Sequence, residues 1–263
     1  HSGAELLAFL DADDLAVPDR LAQQHGFLER NPGIAGVASR CLFIDAAGQV
    51  VGASEPAVSS DDIPALLLFE NCIVQSSVML RRARLDTHRF RTEFEPAEDY
   101  DLWGRMLLEG SFSILDSPLI HYRNHPAGIS ARRTTAMEAA VCSIVKAQLE
   151  RLGLVPDSGQ LELHRLLARW PLSPQMETLN RAEAWLRKIQ KANQTSAVYS
   201  PAIFEKLIGA RWFQICNDSW QLGLPAWKAF YKSPLWKLAG TTLYGHYLFL
   251  RNALPQSFGK QRK

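Results

Sequence analysis

The feature that most constrains this chain is an apolar run that ends at once in acid. Glu5-Leu6-Leu7-Ala8-Phe9-Leu10 passes directly into Asp11-Ala12-Asp13-Asp14. A short apolar run without alternation predicts a strand buried on both faces. Three carboxylates in four residues repel one another, so folding gains nothing from grouping them there. A hard divalent cation, Mg²⁺ or Mn²⁺, would relieve that repulsion, because it prefers carboxylate oxygens and shares its other positions with phosphate and water. Ligands of open α/β sheets sit beyond the carboxyl ends of strands, where this cluster falls. The competing expectation is a solvated acidic loop whose Asp14 or Asp19 caps the next helix.

The following residues keep the alternation of strand and helix. The spacing predicts a helix over 18–30, with Pro18 in its first turn, Leu21 and Leu28 on one face, and Asn31-Pro32-Gly33 ending it. Ile34 to Ile44 reads as a strand, turned by Asp45-Ala46-Ala47-Gly48 into Gln49-Val50-Val51. Asp61-Asp62-Ile63-Pro64 opens a short helix through Phe69, and Ile73 to Leu80 is a further strand. A helix over 97–109 ends at Gly110. Phe112 to Leu115 and Leu119 to Tyr122 read as two extended pieces flanking Pro118. After Ser130 the pattern is helical, with helices over 135–152, 160–169 and 175–192. Beyond Ser196 it is helix-prone but interrupted by Pro201, Pro225, Pro234 and Pro255. Three stretches result: 1–130, a helical extension over 131–194, and a basic aromatic helical tail over 195–263.

Two further constellations carry polar chemistry. In Glu95-Pro96-Ala97-Glu98-Asp99-Tyr100-Asp101-Leu102-Trp103, acids fill the first turn of a helix. The backbone dipole favours negative charge there, so many helices that do no chemistry share the pattern. The functional alternative is a carboxylate that takes a proton from an incoming hydroxyl. In His121-Tyr122-Arg123-Asn124-His125-Pro126-Ala127-Gly128-Ile129-Ser130, Arg offers forked donors to a diphosphate and His a metal ligand. A polar surface loop would look the same.

Composition narrows the class. Apolar residues make up 47% and charged residues 21% of 263, which excludes disorder throughout and a disulfide-knit miniprotein. Cys41, Cys72, Cys142 and Cys216 lie far apart without CxxC spacing. They read as packed, reduced thiols of a cytoplasmic protein. No apolar run reaches the ~18 residues of a membrane span, and the N-terminus has no signal-peptide pattern. The net charge of +2 hides an asymmetry, since residues 195–263 hold nine Lys/Arg against two Asp/Glu and 13 of the 25 aromatics. Rings beside cations suit the headgroup layer of the inner membrane face, though the same rings would equally serve as packing. No nucleic-acid motif accompanies the charge.

Taken in order, these pieces resemble the family-2 glycosyltransferases. The matching segments are Ser2-Gly3-Ala4-Glu5 leading into Phe9-Leu10-Asp11-Ala12-Asp13-Asp14, then Pro18-Asp19-Arg20-Leu21. Gln75-Ser76-Ser77-Val78-Met79, Glu98-Asp99-Tyr100-Asp101-Leu102-Trp103 and Tyr122-Arg123-Asn124-His125 with Ser130 follow. The resemblance implies an α/β fold of the GT-A, nucleotide-diphospho-sugar transferase-like type: a mixed sheet with flanking helices, here followed by a helical C-terminal extension. Asp11-Ala12-Asp13 matches the family's DxD motif. Asp11 and Asp13 are thereby implied ligands of Mn²⁺ or Mg²⁺, with Asp11 also leaning toward the nucleotide's ribose. Glu98-Asp99 matches the ED motif, with Asp99 the base that deprotonates the acceptor hydroxyl. Arg123 and His125 match a loop over the diphosphate, His125 as a further metal ligand, and Gln75-Ser76-Ser77 a segment near the acceptor.

The implied activity is a metal-dependent, inverting transfer of a hexosyl-type sugar from a nucleotide-diphosphate donor to a hydroxyl. A saccharide or lipid-linked acceptor fits polysaccharide or glycolipid synthesis, in the cytoplasm or peripheral on the inner membrane face. Family members begin with a βαβ half that grips base and ribose. This sequence shows neither of that half's motifs, so the resemblance implies a form lacking the N-terminal nucleotide-binding half, starting within the catalytic domain. Two other classes compete. One is a non-catalytic membrane- or partner-binding module on the same fold. The other is a nucleotidyltransferase, which should carry a glycine-rich basic loop not seen here.

Overall fold

The strand expected over 34–44 is the centre of a mixed sheet. In the computed structural model, which describes residues 3–124, 135–168 and 175–253, the chain divides into two compact units, His1–Gln148 and Leu149–Lys263. The first unit contains strands β1 (Leu6–Ala8), β2 (Leu15–Ala16), β3 (Ile34–Ile44), β4 (Val50–Ala53), β5 (Met79–Arg81) and β6 (Ser111–Arg123). Their order is β1-β5-β3-β6-β2, with β4 also pairing on β3. The β3–β6 pair is parallel and the other pairs are antiparallel. The expected mixed α/β sheet with flanking helices is therefore present.

Packing fixes the register around β3. Leu28, Val37 and Met79 form a buried cluster on which Leu6, Phe27, Ile34 and Leu115 pack, so helix α1 (Arg20–Arg30) covers β3 and β5. Gly36 lies opposite Leu80 on β5 and Phe112 on β6. A Cβ there would sit 2.6 Å from the Phe112 ring and 2.9 Å from Leu80 Cβ, which only glycine avoids. The space lets Phe112 reach Trp103, ring centroids 6.0 Å apart. The β3–β4 turn is held by Asp45, whose Oδ1 accepts from the amides of Ala47 and Gln49, both at 2.9 Å.

Four expectations need correction. β1 is not buried on both faces; among the described residues it is the sheet's edge, and Leu10 is 49% exposed. Leu21 does not share the buried face of α1 with Leu28. It is 56% exposed, and Arg20 and Gln24 occupy that face instead. The strand expected over 73–80 begins as a 3₁₀ turn, Gln75–Ser77, before β5. The two pieces around Pro118 are one strand, because the register with β3 shifts between Ser39 and Arg40. Such an irregularity spares Pro the ladder bond it cannot donate.

Short helices α2 (Ile63–Leu66), α3 (Arg82–Thr87) and α4 (Glu98–Met106) complete the first unit, and α5 (Thr135–Arg151) leads out of it. The second unit is helical: α6 (Ser158–Leu167), α7 (Met176–Ser196), α8 (Pro201–Asp218), α9 (Leu224–Lys232) and α10 (Leu243–Ala253). Pro201 and Pro225 do not interrupt helices; they stand in the first turns of α8 and α9, where a missing amide costs nothing. Trp212, Phe230 and Phe249 are buried, and Phe213 meets both phenyl rings edge-on at 5.4 and 5.9 Å. α8 is held against the 3₁₀ turn Pro234–Leu238 through Gly209. A Cβ on Gly209 would lie 2.3 Å from the Leu238 carbonyl carbon.

Candidate functional site

The fold sorts the three carboxylates of the acidic turn. Asp14 N donates to Asp11 O at 3.2 Å, closing the turn. Asp11 and Asp13 remain exposed, whereas Asp14 is buried. Asp14 does not cap the helix: its Oδ1 accepts from Arg123 N at 2.8 Å, and its Oδ2 is buried without a hydrogen-bond partner. Burial pushes its carboxyl up, opposed by the Ser76 hydroxyl and the Arg123 amide. Asp19, at the N-cap position of α1, makes no cap bond and accepts instead from Gln23 Nε2 at 2.7 Å.

A buried cation anchors the turn's entry. Arg20 Nη2 donates to the carbonyls of Phe9 at 2.8 Å and Val78 at 3.2 Å, and Nε donates to Gln24 Oε1 at 3.0 Å. Gln24 Nε2 continues to Ser77 O at 2.7 Å and Val37 O at 3.3 Å. One polar ladder therefore ties α1 to β3 and to the strand ends from which the acidic turn departs. Burial lowers the Arg20 pKa and pushes the nearby Cys41 thiol up to about 12, so that thiol is inert. All four cysteines are free.

Arg123 reaches the turn from the far side. Its Nε donates to Asp13 O at 3.0 Å, and its Nη1 to Asp45 O at 2.9 Å and Ala46 O at 3.3 Å. These donors brace backbone, joining the acidic turn to the β3–β4 turn. His125 and Ser130 lie outside the described residues. Among the described residues, no cluster of three or more His, Cys, Asp or Glu could enclose a metal ion. What remains is a pair of exposed carboxylates, Asp11 and Asp13, with no hydrogen bond to another described residue. That oxygen-only pair suits a hard cation that keeps water or phosphate oxygens in its other positions, as Mg²⁺ does.

The second centre lies at the start of α4. Asp99 is half-buried; its Oδ1 accepts from Tyr100 N at 2.7 Å and its Oδ2 from Asn71 Nδ2 at 2.9 Å. Burial pushes its carboxyl up to about 6; those two donors pull it down, and the neighbouring Glu98 charge adds to the rise. Glu98 Oε2 is buried without a hydrogen-bond partner. Asp101, two residues on, has a different fate. Burial would raise it, but Arg91 and Arg105 hold it below the ordinary range, with Arg105 Nε at 2.9 Å. Tyr100 Oη donates to Leu67 O at 2.7 Å and Trp103 is fully buried, which fixes the helix on its inner side.

No hydrogen bond joins Glu98 or Asp99 to the acidic turn among the described residues. The segment 71–78 connects the two centres. Asn71 holds Asp99, Ser76 Oγ accepts from Asp11 N at 3.1 Å, and Ser77 is fixed by Gln24. The sequence motifs named Gln75-Ser76-Ser77 and Arg20 but not these contacts, and they did not include Asn71 at all. Its signal was local: Asn71 Oδ1 accepts from Ile73 N at 3.2 Å, an Asx turn of the kind Asn favours after a helix.

No family model matches the chain. Over 119 residues it is 30% identical to an uncharacterized glycosyltransferase of Methanocaldococcus jannaschii, an alignment covering 44% of this chain and 41% of that protein. The chain is glycosyltransferase-like in sequence there. It spans about two fifths of the length of the curated relative it matches. Among solved structures it is similar to S. aureus TarS 1–349 in complex with UDP-GlcNAc, at 13% identity and a TM-score of 0.44, covering 88% of this chain and 68% of that one. The structure of TarS 1–349 alone gives 14% identity and a TM-score of 0.42, covering 88% and 67%.

Proposed function

We propose that the first unit carries the metal and base centres of a nucleotide-sugar-dependent glycosyltransferase of the GT-A, family-2 type. The observation that carries this reading is the sorting of carboxylates. Asp11 and Asp13 are left exposed and unengaged on a braced turn, while Asp99 is held with its proton affinity raised, and one segment, 71–78, supports both. An acidic loop with no task gains nothing from such bracing.

Asp11 and Asp13 would hold a hydrated Mn²⁺ or Mg²⁺, which when bound offsets charge developing on the nucleoside-diphosphate leaving group. Arg123 and Arg20 act through the backbone, keeping Asp13 and the end of β1 in place. Asp99 takes the acceptor hydroxyl's proton on a carboxylate lone pair that Asn71 and Tyr100 N leave open. The hydroxyl oxygen then forms its bond to the anomeric carbon as the carbon–phosphate-oxygen bond breaks, the electron pair leaving with the diphosphate. Attack from the face opposite the leaving group inverts the anomeric configuration. Glu98 stands beside Asp99, and its charge adds to the rise in that carboxyl's proton affinity. The acceptor class that fits is a saccharide or a lipid-linked sugar.

Two measurements test the reading. Mn²⁺ binding followed by electron paramagnetic resonance should weaken at least tenfold in Asp13→Ala, which loses half of the exposed pair. Release of nucleoside diphosphate from a panel of nucleotide sugars should require Mn²⁺ or Mg²⁺ and vanish in the same variant. Turnover that survives both Asp13→Ala and excess chelator would rule the metal role out.

A further inference from the structure

The second unit carries chemistry that sugar transfer does not use. From Ser219 to Lys263 the chain has seven Lys/Arg and not one Asp or Glu. The described part of this stretch also sets aromatic rings in water. Tyr244 and Tyr247 on α10 are 68% and 57% exposed, their ring centroids 6.4 Å apart. Trp236 is exposed as well and packs on Tyr231 at 5.6 Å. Tyr231 in turn meets His246 of α10, its Oη 2.7 Å from Nδ1. That chain of contacts ties exposed Trp236 to α10, the helix that carries the two exposed phenols. Lys232 and Lys237, both exposed, follow Tyr231 and Trp236 directly in sequence, and exposed Lys228 lies one turn before Lys232 on α9.

The unit's core does not need these rings, because Trp212, Phe230 and Phe249 already fill it. Amphipathic rings with a polar tip are at home where headgroups meet acyl chains, and cations without an acidic neighbour are drawn to anionic headgroups. Among the described residues no helix is long and apolar enough to cross a membrane, so such contact would come from one side. A nucleic acid would also answer the charge, but no nucleic-acid motif accompanies it.

We propose that this acid-free stretch, through exposed Trp236, Tyr244 and Tyr247 and exposed Lys228, Lys232 and Lys237, seats on an anionic lipid surface. It bears on the transfer reading only by giving a lipid-linked acceptor a place to be met.

The test is co-sedimentation of the full chain with vesicles of phosphatidylcholine alone and of equimolar phosphatidylcholine and phosphatidylglycerol, with neither donor nor acceptor present. Failure here therefore leaves the transfer reading untouched. The chain should bind the anionic vesicles only, less as salt rises. Each Lys→Gln change at 228, 232 or 237 should weaken binding about fivefold. The pair Tyr244→Ala with Tyr247→Ala should weaken it about tenfold without changing the salt dependence. Equal binding to neutral vesicles, or undiminished binding by the triple Lys→Gln variant, would overturn the proposal. So would release from the vesicles by a lower concentration of single-stranded oligonucleotide than of free phosphatidylglycerol vesicles.

Discussion

The two units differ in how much polar chemistry they bury. Around the sheet the buried positions include Asp14, Arg20, Gln24, Ser76, Ser77 and Asp101, each tied to backbone or to a partner charge. In the helical unit the large buried groups are mainly rings, Trp185, Tyr199, Phe204, Trp212, Phe230 and Phe249, with Arg211 a buried cation among them and every described lysine exposed. Burying polar groups is costly unless every bond is made, whereas burying rings is directly favourable. A fold accepts the first arrangement where polar atoms must be held in set positions, and uses the second where only a scaffold is needed. The comparison therefore supports looking for the proposed chemistry in the first unit and for the proposed docking in the second.

Activity should divide along the same line, and here the largest effect is expected. Asp99→Asn is nearly isosteric and can still meet Tyr100 N through its amide oxygen, so folding survives. It should lower turnover about 10²-fold or more, the scale for a lost positioned base. Stopped assays of donor consumption should show little change in donor affinity. A collapse of donor binding with turnover intact would move Asp99 from the acceptor to the donor side.

Stability offers a second way to break the comparison. Arg20→Met leaves the Phe9 carbonyl and Gln24 Oε1 without their donor, while Val78 O keeps its bond from Phe9 N, and costs about 2–4 kcal/mol. Gly209→Ala drives a methyl into the Leu238 backbone, which cannot move aside as a side chain would, and costs about 3 kcal/mol or more. Amide hydrogen exchange reports each unit separately. Arg20→Met should release protection in β3 and β5, and Gly209→Ala in α8 and α9. Equal loosening of both units by either change would mean that polar and aromatic cores are not separate supports.

Much of the first unit was legible in the sequence because its signals are local. Asp45 to Gly48 announces the β3–β4 turn, and the acids at 98–101 mark the start of α4. The acidic turn stood out because like charges are rarely grouped without cause. What stayed hidden depends on partners far along the chain. Nothing local marks Arg20 and Gln24 as inward-facing; they turn in because the chain just after β1, β3 and the segment before β5 offer carbonyls there. Pro118 read as a break because nothing local reveals a register shift on β3. Asn71 and Asp99 are 28 residues apart, and only the fold brings them to 2.9 Å.

That contact gives the smallest and most discriminating effect. Asn71 has two tasks: its Oδ1 accepts from Ile73 N and shapes the loop, and its Nδ2 stabilises the charged form of Asp99. Asn71→Asp keeps the first task and removes the second, placing a carboxylate where a donor stood. Asn71→Ala removes both. A raised pKa means the native state disfavours ionised Asp99, so activity needing that base should rise as pH increases through about 6. Losing the donor in Asn71→Ala should move this limb up by about one unit, roughly a twofold loss at pH 7. In Asn71→Asp two carboxylates share the site and one retains its proton, so the limb should move further still. A role confined to loop shape gives the opposite order, with Asn71→Asp close to the parent and Asn71→Ala displaced. Carboxyl carbon-13 titration of Asp99 reads the same order without substrate, so it separates a misassigned Asn71 from a misassigned reaction.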